Sequence, residues 1–221
     1  MNLLAIETST EACSAALLVN DQILERYQVA PRQHGELILS MAHSLLQEAG
    51  LTLNDLDTIA FARGPGSFTG VRIAVSVTQG LAYGMDLPVI PVSTLAVLAE
   101  GARQELGAGH VAVAIDARMQ EIYFGAYDCT AGRPDLLGDE RVISPHAITL
   151  PDGEGWVGIG TGWGAYAQSM AHACQGRVLQ WHGETLPRAK YVALLGSLAW
   201  RRNLMVTAEQ ALPVYLRDRV V

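Results

Sequence analysis

Two stretches of the chain carry the same pattern. Leu4-Ala5-Ile6-Glu7-Thr8-Ser9-Thr10-Glu11-Ala12 can be laid over Val113-Ala114-Ile115-Asp116-Ala117-Arg118-Met119-Gln120-Glu121. In each, an apolar run ends in an acid, turns through about four polar residues and re-enters a second run. An apolar run of this length, bounded by a turn, reads as a buried strand. Two such units suggest a duplicated α/β domain. Buried strands ending in an acid are also common in single α/β sheets, so the echo leaves both readings open.

The rest of the chain alternates strands and helices, which argues for an α/β fold. Strands are predicted at Leu3–Thr8, Ala12–Asn20 and Gln22–Val29, the last two joined at the hairpin-type turn Asn20-Asp21. A helix follows over Gly35–Ala49, with Gly50 as its stop. Thr58–Arg63 reads as a strand that runs into Gly64-Pro65-Gly66-Ser67-Phe68-Thr69-Gly70, with a helix over Val71–Tyr83 beyond it. Pro88–Val92 is a strand, and Ser93 caps a helix to about Arg103. In the second half, His110–Asp116, Glu121–Tyr127 and Trp156–Ile159 read as strands, and Ala165–Cys174 and Ala189–Arg202 as helices. The expected division is an N-terminal lobe over 1–103 and a C-terminal lobe over 104–221, with the end of the chain packing back on the first lobe.

Composition excludes several classes. Apolar residues make up 50% of the chain and charged residues only 17%, against about 25% in an average soluble domain. A core is easy to build, and part of the outside is short of charge. No apolar run approaches the ~18 residues of a membrane helix, and Met1-Asn2-Leu3-Leu4 lacks the basic start of a signal peptide. Cys13, Cys129 and Cys174 are odd in number and far apart, which fits a reduced, cytoplasmic chain without a disulfide frame or zinc knuckle. A net charge of −7 disfavours direct binding to nucleic acid, whose non-specific affinity comes from phosphate neutralisation. Any nucleic acid is expected to reach this chain through a partner.

Candidate chemistry lies in the turns. Glu7-Thr8-Ser9-Thr10 and Asp116-Ala117-Arg118 could each offer backbone N–H groups to a phosphate and a carboxylate to Mg²⁺. Gly158-Ile159-Gly160-Thr161-Gly162 could let backbone approach an adenine or ribose. Gly64–Gly70 opens a helix, with Ser67 or Thr69 as cap, but lacks the Gly-Lys-Ser/Thr ending of a Walker loop. It reads more readily as a rigid strand-to-helix turn than as an anion site. Catalytic constellations are thin. His34 and His43 do not share a helical face as metal ligands need, no cysteine pairs with a histidine, and Ser67 is not in a Gly-x-Ser-x-Gly elbow.

The helices say more. On Gly35–Ala49 the apolar residues, among them Leu37, Ile38, Met41, Ala42 and Leu45, spread over about 200°, where a surface helix needs little more than ~100°. On Val71–Tyr83 the small residues Gly70, Ala74, Thr78 and Ala82 form one ladder, and Ser76, Gly80 and Gly84 form a second. Packing on the chain's own sheet needs only one of these faces. The excess therefore points to a helix–helix protein interface.

Together these strings resemble the TsaB (YeaZ) family, the bacterial accessory proteins for making threonylcarbamoyladenosine in tRNA. The resemblance is carried by Leu4–Thr10, by Gly64–Gly70 with Val71-Arg72, by Asp116-Ala117-Arg118-x-x-Glu121-Ile122-Tyr123, and by Pro213-Val214-Tyr215-Leu216-Arg217. It runs nearly the whole length of the chain. It implies the actin-like ATPase fold, with two duplicated α/β lobes. The pathway's catalytic relative, TsaD, carries Val-Asn-His-x-x-x-His, where this chain reads Val92-Ser93-Thr94-Leu95-Ala96-Val97-Leu98. Thr94 and Leu98 stand in place of the two histidines, and Leu98 offers no ligand atom.

The resemblance therefore implies a non-catalytic paralogue with no required cofactor. Its partners would be a TsaD-like catalytic paralogue, a TsaE-like ATPase, and a second copy of itself when the paralogue is absent. Contact with tRNA would come only through the complex, and with membranes not at all. The partner face would comprise Leu37, Ile38, Met41, Ala42, Leu45, Gly70, Ala74, Thr78 and Ala82. Any vestigial site for ATP or ADP would use Glu7, Thr8, Ser9, Asp116, Gly160 and Gly162. The alternative is an ATP-dependent enzyme of the same fold, a kinase or carbamoyl transferase. A glycoprotease-like peptidase is weaker still.

Overall fold

A computed structural model describes residues 1–217 and divides the chain into two units. The first comprises residues 1–97 and 187–214; the second comprises residues 98–186 and the described end of the chain from Tyr215.

The sheet of the first unit is built from β1 (Leu3–Glu7), β2 (Ala12–Val19), β3 (Gln22–Val29), β4 (Thr58–Ala62) and β5 (Val89–Val92), in the order β3-β2-β1-β4-β5. β1, β2 and β3 form an antiparallel meander, and β4 and β5 add in parallel on the other side of β1. The β2–β3 turn falls where Asn20-Asp21 predicts it. Both residues take positive φ, 50° and 64°, as the tightest hairpin turns require. Alternate residues of β1 serve opposite faces. Leu4 and Ile6 join the core beneath α1 (His34–Ala49) and α2 (Phe68–Met85). Leu3 and Ala5 join the core beneath a helix near the end of the chain, Ala189–Trp200.

The second sheet repeats the plan. β6 (His110–Asp116) pairs antiparallel with β7 (Ile122–Asp128) and in parallel with β10 (Trp156–Ile159), which pairs in parallel with β11 (Val178–His182). The short strands β8 (Asp135–Leu136) and β9 (Arg141–Ile143) pair with β7. Glu7 and Asp116 each end the strand that starts their unit, so the echo in the sequence is a repeat of topology. This is the duplicated α/β arrangement that the actin-like resemblance implies.

α3 (Thr94–Leu106) begins where Ser93 predicts, its Oγ accepting from the N–H groups of Leu95 and Ala96 at 3.1 and 3.3 Å. α4 (Thr161–Ala173) covers the second sheet, and its Trp163 is fully buried together with Trp156 of β10. α5 is the helix Ala189–Trp200.

Two expectations are corrected, and a third finding concerns strands that the sequence did not predict. First, α5 and the segment to Val214 pack with the first unit, not with a lobe spanning 104–221. The reason is apolar: Val192 and Ala193 fill the core under Leu3, Ala5 and Ala60. Residues 218–221 of the tail lie outside the described residues. Second, α4 starts at Thr161, so Gly162 and Gly164 sit in its first turn and not in a loop. Third, β11 and the two short strands carry no period visible in the sequence.

Loop 150–155 has no regular structure of its own and is held by side chains: His110 Nδ1 lies 3.0 Å from the Glu154 carbonyl, Trp156 Nε1–H donates to the Gly153 carbonyl at 3.1 Å, and Arg177 makes the most bonds. Arg177 donates to the carbonyls of Leu150 (3.0 Å), Gly153 (2.9 Å) and Pro151. Arg177→Met should cost the second unit about 2 kcal/mol, the range for lost charge-assisted hydrogen bonds. Urea unfolding would measure the loss, and limited proteolysis should show faster cutting between Leu150 and Gly155. Unchanged stability and cutting would contradict this role for Arg177.

Candidate functional site

The glycine string that follows β4 is part of a closed network with the β1–β2 turn. Ser67 N–H donates to the Ser9 carbonyl at 2.7 Å, and Thr8 Oγ1 donates to the Gly70 carbonyl at 2.7 Å. Thr94 N–H bonds the Gly64 carbonyl at 3.0 Å, and Thr94 Oγ1 reaches Ser9 Oγ at 3.2 Å. Ser67 caps α2, its Oγ accepting from Gly70 N–H. Gly66 and Gly70 are glycine for space. A Cβ on Gly66 would lie 2.3 Å from the Ser9 carbonyl oxygen, and one on Gly70 would lie 2.1 Å from that of Thr8. The string is thus the rigid turn favoured from its sequence, tied to the β1–β2 turn and to the start of α3 by these bonds.

Glu7 sits at the end of this network, fully buried. Its Oε1 accepts from Ser9 N–H and Ser9 Oγ–H, both at 2.6 Å, and its Oε2 has no partner among the described residues. Burial pushes its carboxyl up to about 7, against the opposing pull of the two Ser9 donors. A carboxyl with no exposed surface, whose charged form burial disfavours, is a poor anchor for hydrated Mg²⁺.

The second unit holds the other half of the predicted nucleotide set. Asp116 Oδ1 accepts from Arg118 N–H at 2.9 Å and Tyr166 Oη–H at 3.3 Å, and its Oδ2 pairs with the Arg118 guanidinium at 3.0 Å. Its backbone N–H donates to Thr161 Oγ1 at 3.1 Å. Gly160, at φ 102°, and Gly162 both back against Ala114: a Cβ on either would come within 2.5–2.8 Å of it. These glycines let the start of α4 sit down on β6, where Trp163 Nε1–H bonds the Ala112 carbonyl at 2.8 Å. Of the six predicted nucleotide residues, Glu7, Thr8 and Ser9 come together in the first unit and Asp116, Gly160 and Gly162 in the second.

No group of three or more His, Cys, Asp or Glu side chains among the described residues is placed to hold a metal ion. Thr94 and Leu98 are both buried. The three cysteines are free and buried, and burial pushes their thiols up to about 11, 12 and 11 for Cys13, Cys129 and Cys174. Reactive cysteines have depressed values instead. No described helix is long and apolar enough to cross a membrane.

The predicted partner face divides in two. Ile38, Ala42 and Leu45 of α1 and Gly70, Ala74, Thr78 and Ala82 of α2 are buried against the chain's own sheet, and Leu37 and Met41 are half-buried at its margin. These seven buried residues are therefore core, a correction with a plain cause: the small ladder of α2 lets that helix settle on β1 and β4. The second ladder is the exposed one. Ser76, Gly80 and Gly84 face outward, and a Cβ on Gly80 or Gly84 would meet nothing within 4 Å. Tyr83, beside Gly84 on the same helix, is 75% exposed, and Phe68 at the start of α2 and Leu39 of α1 are each 51% exposed. The helical period had located both ladders without indicating which one the sheet would take.

Comparison with known proteins follows the same lines. The family model described as TsaD, tRNA N6-adenosine threonylcarbamoyltransferase, matches residues 21–219. The tRNA threonylcarbamoyladenosine biosynthesis protein TsaB of Haemophilus influenzae is 39% identical, with 100% of this chain and 95% of that protein aligned. The Escherichia coli protein of the same name is 39% identical over 100% and 96%. The solved structure of YeaZ from Pseudomonas aeruginosa superposes with a TM-score of 0.92 at 49% identity, covering 97% of this chain and 99% of that one.

Proposed function

The chain belongs to the TsaB family of tRNA threonylcarbamoyladenosine biosynthesis proteins, and from that premise we propose that it is a non-catalytic subunit of the transferase complex. Its task is to dock on the TsaD-like catalytic paralogue, with a TsaE-like ATPase as third component. It pairs with a second copy of itself when the paralogue is absent. The tRNA is held by the complex and not by this acidic chain alone.

The exposed ladder of α2 carries the reading. A glycine inside a helix costs about 1 kcal/mol relative to alanine. At Gly80 and Gly84 nothing among the described residues accounts for that cost, since both face open space. A helix of another protein lying against Ser76, Gly80 and Gly84 does account for it, with Tyr83 as an exposed apolar flank.

The non-catalytic role draws on what the acids already do. Glu7 is sealed beneath its own turn, and Asp116 is tied to Arg118 and Tyr166. Burial of Glu7 and the partners of Asp116 leave neither carboxylate well placed for a hydrated Mg-nucleotide, which supports a chain that works without a nucleotide of its own. The rival reading, a kinase or carbamoyl transferase, requires one. Calorimetry with Mg-ATP on the isolated chain separates the two, and binding at micromolar concentration would favour the rival.

The interface is tested with Ser76→Arg and Gly80→Arg. Each should abolish co-purification with the co-expressed paralogue while leaving the melting temperature within about 3 °C of wild type. Leu179→Arg, at a site 73% exposed in the second unit, serves as control and should bind normally. If both α2 variants still co-purify, the proposed face is wrong.

A further inference from the structure

The C-terminal end of α2 opens onto a groove of about 870 Å³ in the first unit. Tyr83 stands on one side, Leu87 and Pro88 lead into β5, and Met205–Gln210 form the opposite wall. That wall is fixed by a two-bond bridge, Val206 N–H to the Val89 carbonyl and Val89 N–H to the Val206 carbonyl, both 2.9 Å. The lining is apolar apart from Tyr83 and the polar and acidic groups of Asp86, Thr207, Glu209 and Gln210, and it contains no Lys, Arg or His.

Its electrostatics have one sign. Asp86 closes α2 in the left-handed conformation, and the last turn of that helix carries no basic residue. The terminal carbonyls of α2 therefore add negative partial charge that nothing on the helix offsets. Glu209 lies across the groove, held ionised by its own backbone N–H and by Thr207, which keep its carboxyl below the usual range. Tyr83, 75% exposed, offers the ring face on which a guanidinium stacks.

We propose that this groove docks a segment of a partner protein that presents an arginine between apolar residues. The guanidinium lies between Asp86 and Glu209 against the Tyr83 ring. The apolar neighbours cover Leu204 and Leu212, which are 58% and 62% exposed just outside the two ends of the Met205–Gln210 wall. The groove's volume far exceeds that of one guanidinium and suits a short peptide. A flat polyanion such as tRNA is repelled by the same charges. The groove shares Tyr83 with the helix pairing proposed above, but its charged determinants, Asp86 and Glu209, lie beyond the glycine ladder.

The test is an NMR titration of the ¹⁵N-labelled chain with the probe peptide acetyl-Leu-Arg-Leu-amide, beside its Gln counterpart and N-acetyl-arginine amide. Expected are amide shifts confined to Tyr83–Leu87 and Val206–Gln210, with the Gln peptide weaker by on the order of tenfold. Asp86→Asn with Glu209→Gln should weaken the Arg peptide by a similar factor. Asparagine still accepts the left-handed backbone, and glutamine keeps an acceptor for Thr207, so the fold persists and its retention is read from the remaining spectrum. Equal binding of the Arg and Gln peptides, shifts mapping elsewhere, or indifference to the double variant would each overturn the proposal. Binding of N-acetyl-arginine amide as tight as that of the peptide would also overturn it, by making this a small-molecule site. Loss of co-purification in the α2 variants with an intact titration would separate the two proposals.

Discussion

Glu7→Gln is expected to leave stability nearly unchanged at pH 4.5 and to raise it by about 3 kcal/mol at pH 8. In the folded chain Glu7 titrates near 7, against an ordinary value of 4.5, because burial penalises its charged form. Between those values the folded chain keeps a proton that the unfolded chain has released. Stability therefore falls as pH rises through the window and levels off above about 7. Glutamine is neutral in both states and escapes the fall, while its amide oxygen still accepts from the Ser9 N–H and hydroxyl. Urea unfolding of both proteins across pH 4.5–8 would measure this. Parallel stability curves would refute it, and so would a variant less stable at pH 8. The proton on Glu7 thus spares the folded chain a buried charge beneath the β1–β2 turn.

The second large effect comes from one substitution made at two sites of the same helix. Gly70→Ala would drive its Cβ to 2.1 Å from the Thr8 carbonyl oxygen, a backbone atom inside the closed network. Neither side can yield without opening the β1–β2 turn, so the expected loss is about 4 kcal/mol or more, in the range of severe overpacking and network disruption. Gly66→Ala, at 2.3 Å from the Ser9 carbonyl oxygen, should behave alike. Gly80→Ala should do the reverse, stabilising the isolated chain by up to about 1 kcal/mol, because its Cβ enters open space. If the proposed pairing is right, that same variant binds the paralogue more weakly. Thermal melts and soluble yield read the first two variants, and a melt plus a pull-down reads the third. A folded Gly70→Ala of wild-type stability would show that the turn can move.

These contrasts mark where the sequence was legible. Asn20-Asp21 announced the β2–β3 hairpin, since both residues tolerate the positive φ that the turn needs. Ser67 and Ser93 announced the starts of α2 and α3 through the hydrogen bonds their hydroxyls make to helix N–H groups. The echo around Glu7 and Asp116 announced the repeat of topology. The apolar arc of α1, by contrast, was wider than the face the sheet covers. Ile38, Ala42 and Leu45 went to the core, while Leu39 stayed outside at 51% exposure. The glycines at 158–164, readable as a nucleotide loop, also make room for close packing: Gly160 and Gly162 against Ala114 of β6, Gly158 against Trp163, and Gly164 against Gly183.

By itself, then, the sequence determined most of the element types, the repeated α/β plan and the family, because each is written in short-range signals: period 2 or 3.6, helix caps, turn residues and contiguous strings. Only the tertiary structure decided which ladder of α2 is core, that Glu7 is sealed from water, and that α5 belongs to the first sheet. The start of α5 shows why. Its N-cap residue Arg188 offers no capping side chain. The first N–H groups are taken by Ser14 Oγ, at 2.9 Å to Ala189 N, and by Glu25 Oε1, at 3.1 Å to Lys190 N. Glu25 also holds the Arg188 guanidinium. Those partners lie 175 and 165 residues away in the chain, a separation that no local period can encode.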